Sequence, residues 1–131
     1  MLYAIRLTHP ELSFSAEHAI RFDNGEVEKV HSHTFRTNLE IAGPVNSSGY
    51  VVDFLAAFRI LKRLLSQLDG LTFLPKETEN PTAENLGTTL LEKFRVEALK
   101  EKLFSFPPED YRFRLELEES PGMWAVCSSS T

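Results

Sequence analysis

Apolar and polar residues alternate along the first part of the chain. Tyr3, Ile5 and Leu7 share one parity before Pro10 interrupts, and Phe14, Ala16, His18, Ile20 and Phe22 resume on another, which predicts strand over 2–9 and 12–22. Asp23-Asn24-Gly25 is a turn signal, so a hairpin leads into a strand over 31–43 that Gly43-Pro44 closes. Spacings of three and four then replace alternation. Asp53 is placed to cap a helix with Phe54, Phe58, Leu61, Leu65 and Leu68 on its inner stripe, and Gly70 is placed to stop it. Residues 70–81 read as a loop. A second helix opens in Pro81-Thr82-Ala83-Glu84-Asn85, where Thr82 suits the cap, Glu84 suits the positive end of the dipole, and Leu86, Leu90 and Phe94 form the stripe. Strands over 110–119 and 123–128 follow, joined at Pro121-Gly122, and 128–131 read as a frayed tail. The order ββααββ predicts an α+β fold, a four-stranded antiparallel sheet with both helices on one face. Such a sheet has two open edges, which further copies of the chain would cover.

Composition narrows the setting. With 131 residues, 42% of them hydrophobic, the chain predicts a single domain over 1–131. It contains neither an apolar run of about eighteen residues nor a basic segment leading into an apolar one, so a soluble, cytoplasmic protein with no membrane partner is expected. Cys127 is the sole cysteine and has no internal disulfide partner. A net charge of −5 argues against a nucleic-acid surface, while leaving room for a local basic pocket.

The chemistry concentrates in His31-Ser32-His33 and His18. Histidines at i and i+2 of a strand point to one face, and here that face is shared with Phe35, Leu39 and Ile41. His18 lies among Phe14, Ala16 and Ile20. Imidazoles on apolar faces need partners, and two answers stand on the residues alone: ordinary hydrogen-bonded core histidines, or three ligands of one zinc ion. The last long strand poses a second question. Alternation of Phe113, Leu115 and Leu117 puts Glu119 on the apolar face, unless the strand ends at Glu118 and Glu119 is a turn residue. An inward carboxylate could accept two parallel N–H bonds from a guanidine-like edge such as that of a pterin.

Six short motifs occur together and in order: Phe14-Ser15-Ala16-Glu17-His18, His31-Ser32-His33-Thr34-Phe35, Gly49-Tyr50-Val51-Val52-Asp53-Phe54, Leu68-Asp69, Pro81-Thr82-Ala83-Glu84-Asn85 and Glu119-Ser120. In these the chain resembles the 6-pyruvoyltetrahydropterin synthase family, which includes the 6-carboxytetrahydropterin synthases. The resemblance implies the tunnelling fold (T-fold), in which three subunits close a barrel and two such rings stack into a homohexamer with active sites between subunits. It implies a Zn2+ ion on His18, His31 and His33 with an open fourth position, and a small-molecule pterin substrate anchored by Glu119, with Thr82 also in the substrate site.

The departures from the family pattern are as informative. The catalytic cysteine expected four residues before the first histidine of the pair is Val27, and the histidine expected after Leu68-Asp69 is Gly70. Ser32 replaces a glycine. Glu28, three residues before His31, instead resembles the Glu-x-x-His-x-His pattern of a subgroup in which glutamate does the acid/base work. That subgroup shortens the side chain of 7,8-dihydroneopterin triphosphate to give 6-hydroxymethyl-7,8-dihydropterin. The resemblance therefore implies Glu28 and Asp69 as catalytic residues. His9 reads as structural, with proton transfer as its alternative role, and the sequence does not locate the triphosphate site, for which Lys29, Arg36 and Arg21 are the basic residues on offer. On the residues alone Glu28 is equally a solvated loop residue. Two other outcomes stay open: a 6-carboxy- or 6-pyruvoyl-tetrahydropterin synthase, and a non-catalytic relative that binds zinc and a pterin.

Overall fold

A computed structural model of the chain describes residues 1–76 and 79–129. Two long strands, β1 (Tyr3–His18) and β2 (His31–Gly43), run antiparallel, and helix α1 (Phe54–Leu68) follows. A two-residue strand β3 (Thr72–Phe73), helix α2 (Ala83–Lys100), a 3-10 turn (Pro108–Asp110) and the hairpin β4 (Arg112–Ser120) and β5 (Met123–Ser129) complete the order. The sheet order is β3-β1-β2-β4-β5. It thus has five strands rather than four and is mixed, because β3 lies parallel to the end of β1, with Glu17 opposite Thr72 and His18 opposite Phe73. Two residues carry no period, so this strand inside the expected 70–81 loop has no sequence signature.

The interrupted parity of the N-terminal region is a bulge within one strand. Five steps of β1 from Thr8 to Ser13 face only two steps of β2, from Asn38 to Arg36. Ile5 and Leu7 are buried before it and Leu12, Phe14, Ala16 and His18 after it, so the bulge moves the buried set from odd to even positions. Pro10, with no N–H to donate, sits in the stretch that leaves the ladder. The buried Thr37 hydroxyl fills the bulge by donating to the Leu12 carbonyl at 3.0 Å. Strand structure stops at His18, short of the expected 22: Phe22 is exposed, and an isolated bridge from Arg21 to Val27 carries the chain into the Gly25 turn. That turn needs a positive φ, 87° at Gly25.

Both helices cover the face that carries Phe35, Leu39, Ile41, Phe113, Leu115 and Leu117, α1 lying on β1 and α2 on β4 and β5. Asp53 caps α1 by accepting from the N–H groups of Leu55 and Ala56. The buried stripe of α1 is Ala57, Ile60, Leu61, Leu64 and Leu65. Phe54, in the first turn, is exposed, and Phe58 and Leu68 are only partly covered. In α2 the expected Leu86, Leu90 and Phe94 are all buried. Ser128 and Ser129, expected in a frayed tail, pair with Arg114 and Phe113 as the end of β5, while positions 77–78 and 130–131 lie outside the described residues. Among the described residues no helix is long and apolar enough to cross a membrane.

Candidate metal centre and active site

Strand register alone assembles the three histidines. His18, the last residue of β1, stands directly opposite His31, the first of β2, and His33 stands opposite the small Ala16. Cross-strand neighbours lie about 5 Å apart. The three rings accordingly make edge contacts, with centroids 4.7 Å (His18–His31), 5.1 Å (His18–His33) and 4.6 Å (His31–His33) apart. Phe35 floors the cluster at 5.6 Å from His18 and 5.7 Å from His33, and is itself stacked on Phe14. His18 is fully buried, while His31 and His33 are half-buried, so the cluster opens outward from a closed floor.

Hydrogen bonding decides what the rings present. His18 Nδ1 lies 2.8 Å from the Pro81 carbonyl oxygen and His31 Nδ1 lies 2.9 Å from that of Lys29. A carbonyl only accepts, so each Nδ1 carries a proton, and in the neutral ring the Nε2 lone pair then faces inward. Those two Nε2 atoms are 3.1 Å apart. Burial, opposed by Glu119 and reinforced by His18 and His31, holds the pKa of His33 below its ordinary value and so favours the neutral, ligand-competent ring. The ligand atoms of His18, His31 and His33 all fall within 4.8 Å of one another, and these residues could hold a metal ion. The edge of a tetrahedron with metal–nitrogen bonds of 2.0–2.1 Å is about 3.3–3.4 Å, near the His18–His31 separation.

Two carboxylates stand beside the imidazoles. Glu28 is held at both ends of its own residue: its N–H donates to the Ile20 carbonyl at 3.0 Å, and its Oε1 accepts from the Ile20 N–H at 3.0 Å. The same Oε1 lies 3.6 Å from His31 Nε2, so Glu28 is a fixed neighbour of the cluster rather than a solvated loop residue. Glu119 remains within β4. Glu118 pairs with Trp124 and Ser120 with Met123, which leaves Glu119 as the extra residue of a bulge that aims its side chain inward. Its Oε1 lies 3.0 Å from His18 Nε2.

The remaining candidates take other places. Thr82 caps α2, its hydroxyl oxygen accepting from the Asn85 N–H at 3.1 Å. Asp69 is the C-cap of α1, and its Oδ1 accepts from the Ser15 N–H at 2.8 Å while Gly70 N–H donates to the Ser15 carbonyl. This pair continues the β3 edge of the sheet, and none of these bonds reaches the histidines. His9 accepts from the Glu11 N–H and packs edge-on against Phe58 in the bulge. Arg21 donates to the Lys76 carbonyl, and Arg36 is exposed opposite Glu118. Val27 offers no acid/base group. Cys127 lies against α2, within 3.6 Å of the Glu84 carbonyl, so it does not stand in for the missing cysteine.

Two residues contribute to the site in ways the sequence motifs do not signal. Pro81 orients His18 through its carbonyl. Asn80 holds that carbonyl in place by a reciprocal pair with the backbone of Arg21, Oδ1 accepting from its N–H at 2.9 Å and Nδ2 donating to its carbonyl at 2.8 Å. An asparagine just before Pro-Thr is the one available sequence signal. Backbone carbonyls leave none.

Comparison with known proteins gives the family and the fold. The model of the family "6-pyruvoyl tetrahydropterin synthase" matches residues 8–130. A putative 6-carboxy-5,6,7,8-tetrahydropterin synthase of Archaeoglobus fulgidus is 30% identical over 113 residues, covering 86% of this chain and 87% of the relative. Plasmodium falciparum 6-pyruvoyl tetrahydropterin synthase superposes with a TM-score of 0.78 at 19% identity, over 98% of both chains. Its Plasmodium vivax counterpart, solved with a catalytic glutamate replaced by alanine, superposes with a TM-score of 0.76 at 18% identity, over 100% of this chain and 99% of the other. The sheet and helix pair are those of the T-fold, and the chain belongs to the 6-pyruvoyl tetrahydropterin synthase family.

Proposed function

We propose that the protein is a zinc-dependent pterin enzyme that cleaves the side chain of 7,8-dihydroneopterin triphosphate to 6-hydroxymethyl-7,8-dihydropterin. The observation that carries this reading is the convergence of two imidazole Nε2 atoms, 3.1 Å apart, with a carboxylate fixed 3.6 Å from one of them. The metal would be held by His18, His31 and His33, with Pro81 and Lys29 orienting the first two rings through their carbonyls. It supplies a Lewis acid for side-chain hydroxyl oxygens.

The protein side chains do the rest. Releasing a hydroxymethyl product breaks the bond between the first and second side-chain carbons. The second carbon's hydroxyl gives up its proton as that carbon becomes an aldehyde carrying the triphosphate, and the first carbon gains a proton. Glu28 is the group assigned to these transfers, in the place where Val27 offers nothing. Asp69 is the second proton-transfer candidate; its Oδ1 is committed to Ser15, so the main burden falls on Glu28. Glu119 anchors the heterocycle through paired N–H bonds, and Thr82, the N-cap of α2, is the second substrate-site candidate. The assembly is a homohexamer built from trimers: β3 and β5 are the sheet edges, and β5 exposes Met123, Trp124 and Val126, so ring closure would pair and cover them.

A second reading has its own support. The Archaeoglobus relative, at 30% identity, is named a 6-carboxy-5,6,7,8-tetrahydropterin synthase, and that activity would leave the same metal and pterin anchors in use. Incubating the zinc-loaded protein with 7,8-dihydroneopterin triphosphate and identifying the pterin by chromatography separates them. Hydroxymethyldihydropterin supports the first reading; a 6-carboxy product overturns it in favour of the second, and a 6-pyruvoyl product or untouched substrate refutes both.

A further inference from the structure

A cavity of about 230 Å³ lies between α2 and the chain that runs from β3 to Pro81. Sequence spacing builds one wall. Leu86, Thr89, Leu90 and Lys93 stand at i, i+3, i+4 and i+7, so α2 turns a single face toward the gap. Phe73 and Leu74 wall it from β3 and the residue beyond, and a turn in which the Lys76 N–H donates to the Glu79 carbonyl at 2.7 Å carries the chain past it. That segment is fastened to the residues after β1, through Asn80 on the backbone of Arg21 and the Arg21 guanidinium on the Lys76 carbonyl. His18, His31, His33, Glu28 and Glu119 do not border the cavity. A pterin placed there would leave most of its polar edge unpaired against the apolar walls.

Charge at the mouth runs against the rest of the chain. Lys76 and Lys93 border the cavity with a single carboxylate, Glu79, in a protein whose net charge is −5. Among the described residues neither ammonium group has an ion pair or a side-chain hydrogen bond, whereas Lys62 and Lys100 have Glu11 and Glu97 as partners. An apolar cavity of about 150 Å³ lined by Leu, Ile and Phe already holds benzene rather than water. This one is larger and cationic at one end. We infer that it binds a small amphiphilic anion, with an aromatic or branched body among Phe73, Leu86 and Leu90 and one carboxylate between Lys76 and Lys93. The assignment is independent of the pterin reading.

Phenylacetate, phenylacetamide and phenethylamine carry one body with an anionic, a neutral and a cationic head. Their binding to the full chain, read by saturation-transfer difference NMR with competition titrations, should weaken in that order, phenylacetate binding about tenfold more tightly than the amide, as a charge-assisted hydrogen bond implies. Thr89→Phe, which fills the cavity from a half-buried position, should abolish binding of all three. Lys76→Glu combined with Lys93→Glu should reverse the order and make phenethylamine the tightest ligand; both side chains are exposed, so urea unfolding should match the parent. Phenylacetate that still binds a folded Thr89→Phe protein overturns the site, and equal affinities for acid and amide, or an order that the double substitution leaves unchanged, overturn the role of the lysines. Failure of all three compounds to bind overturns the proposal outright, and a changed mass of the double variant by light scattering would then identify a second copy of the chain as the occupant.

Discussion

Replacing Glu28 by glutamine and by alanine separates the two jobs the structure gives this residue. Its Oε1 accepts from the Ile20 N–H at 3.0 Å and lies 3.6 Å from His31 Nε2. Glutamine keeps an oxygen for Ile20 but exchanges no protons near neutral pH. Glu28→Gln should therefore retain stability to within about 1 kcal/mol, while kcat falls roughly 10²- to 10⁴-fold, the range for loss of a positioned acid or base. Alanine removes the hydrogen bond as well. Because the partner N–H is partly buried, Glu28→Ala should cost a further 1–2 kcal/mol or so of unfolding free energy, with no additional loss of kcat beyond that of Gln once the protein is folded. The assay pairs steady-state turnover of dihydroneopterin triphosphate with urea unfolding of each variant. Turnover by Glu28→Gln at the parent rate would refute the catalytic role. Equal unfolding free energies for Gln and Ala would refute the anchoring role.

Other consequences follow from single contacts. Thr37→Val keeps the shape of a buried side chain and deletes its bond to the Leu12 carbonyl, so urea unfolding should show a loss of about 1–2 kcal/mol; a neutral result would mean the bulge does not need this hydroxyl. Gly43→Ala would put a methyl 2.5 Å from Cδ1 of the fully buried Tyr111 ring, and a loss of about 2–3 kcal/mol is expected in the same assay, against no change if the ring has room to move. Light scattering at low micromolar concentration should return a mass near six chains, whereas a stable monomer would remove the proposed shared site.

Much of this architecture is legible in the residues because burial imposes periods. The parity of Phe113, Leu115 and Leu117 correctly carried Glu119 inward, and the i, i+2 spacing of His31 and His33 correctly put both rings on one face. Period also explains the misreadings. Parity assigned Ile20 and Phe22 to a strand that ends at His18, because nothing in the alternation marks where pairing stops. The stripe of α1 was started at Phe54, although the first turn lies clear of the sheet and Ile60 and Leu64 take the buried positions. Thr72–Phe73 is too short to have a period at all. At the site, side-chain identity was visible but its orientation was not. The tautomers of His18 and His31 are fixed by the carbonyls of Pro81 and Lys29, and the reach of Glu28 depends on its bonds to Ile20. The contacts to Pro81 and Ile20 join residues apart in sequence and exist only after folding, and the Lys29 carbonyl, two residues from His31, has no side-chain signature. Asp69 shows the converse, since a motif made it a catalytic candidate and the fold gives its Oδ1 the Ser15 N–H to accept from.

The account stands first on the three histidines being a metal centre, and metal analysis tests that most directly. Protein purified without added metal should contain one zinc per chain by elemental analysis, and His31→Ala, which removes one of the converging Nε2 atoms, should lose it while keeping its secondary structure by circular dichroism. Undiminished zinc in a folded His31→Ala protein, or a parent that takes up none when zinc is supplied, would contradict the account.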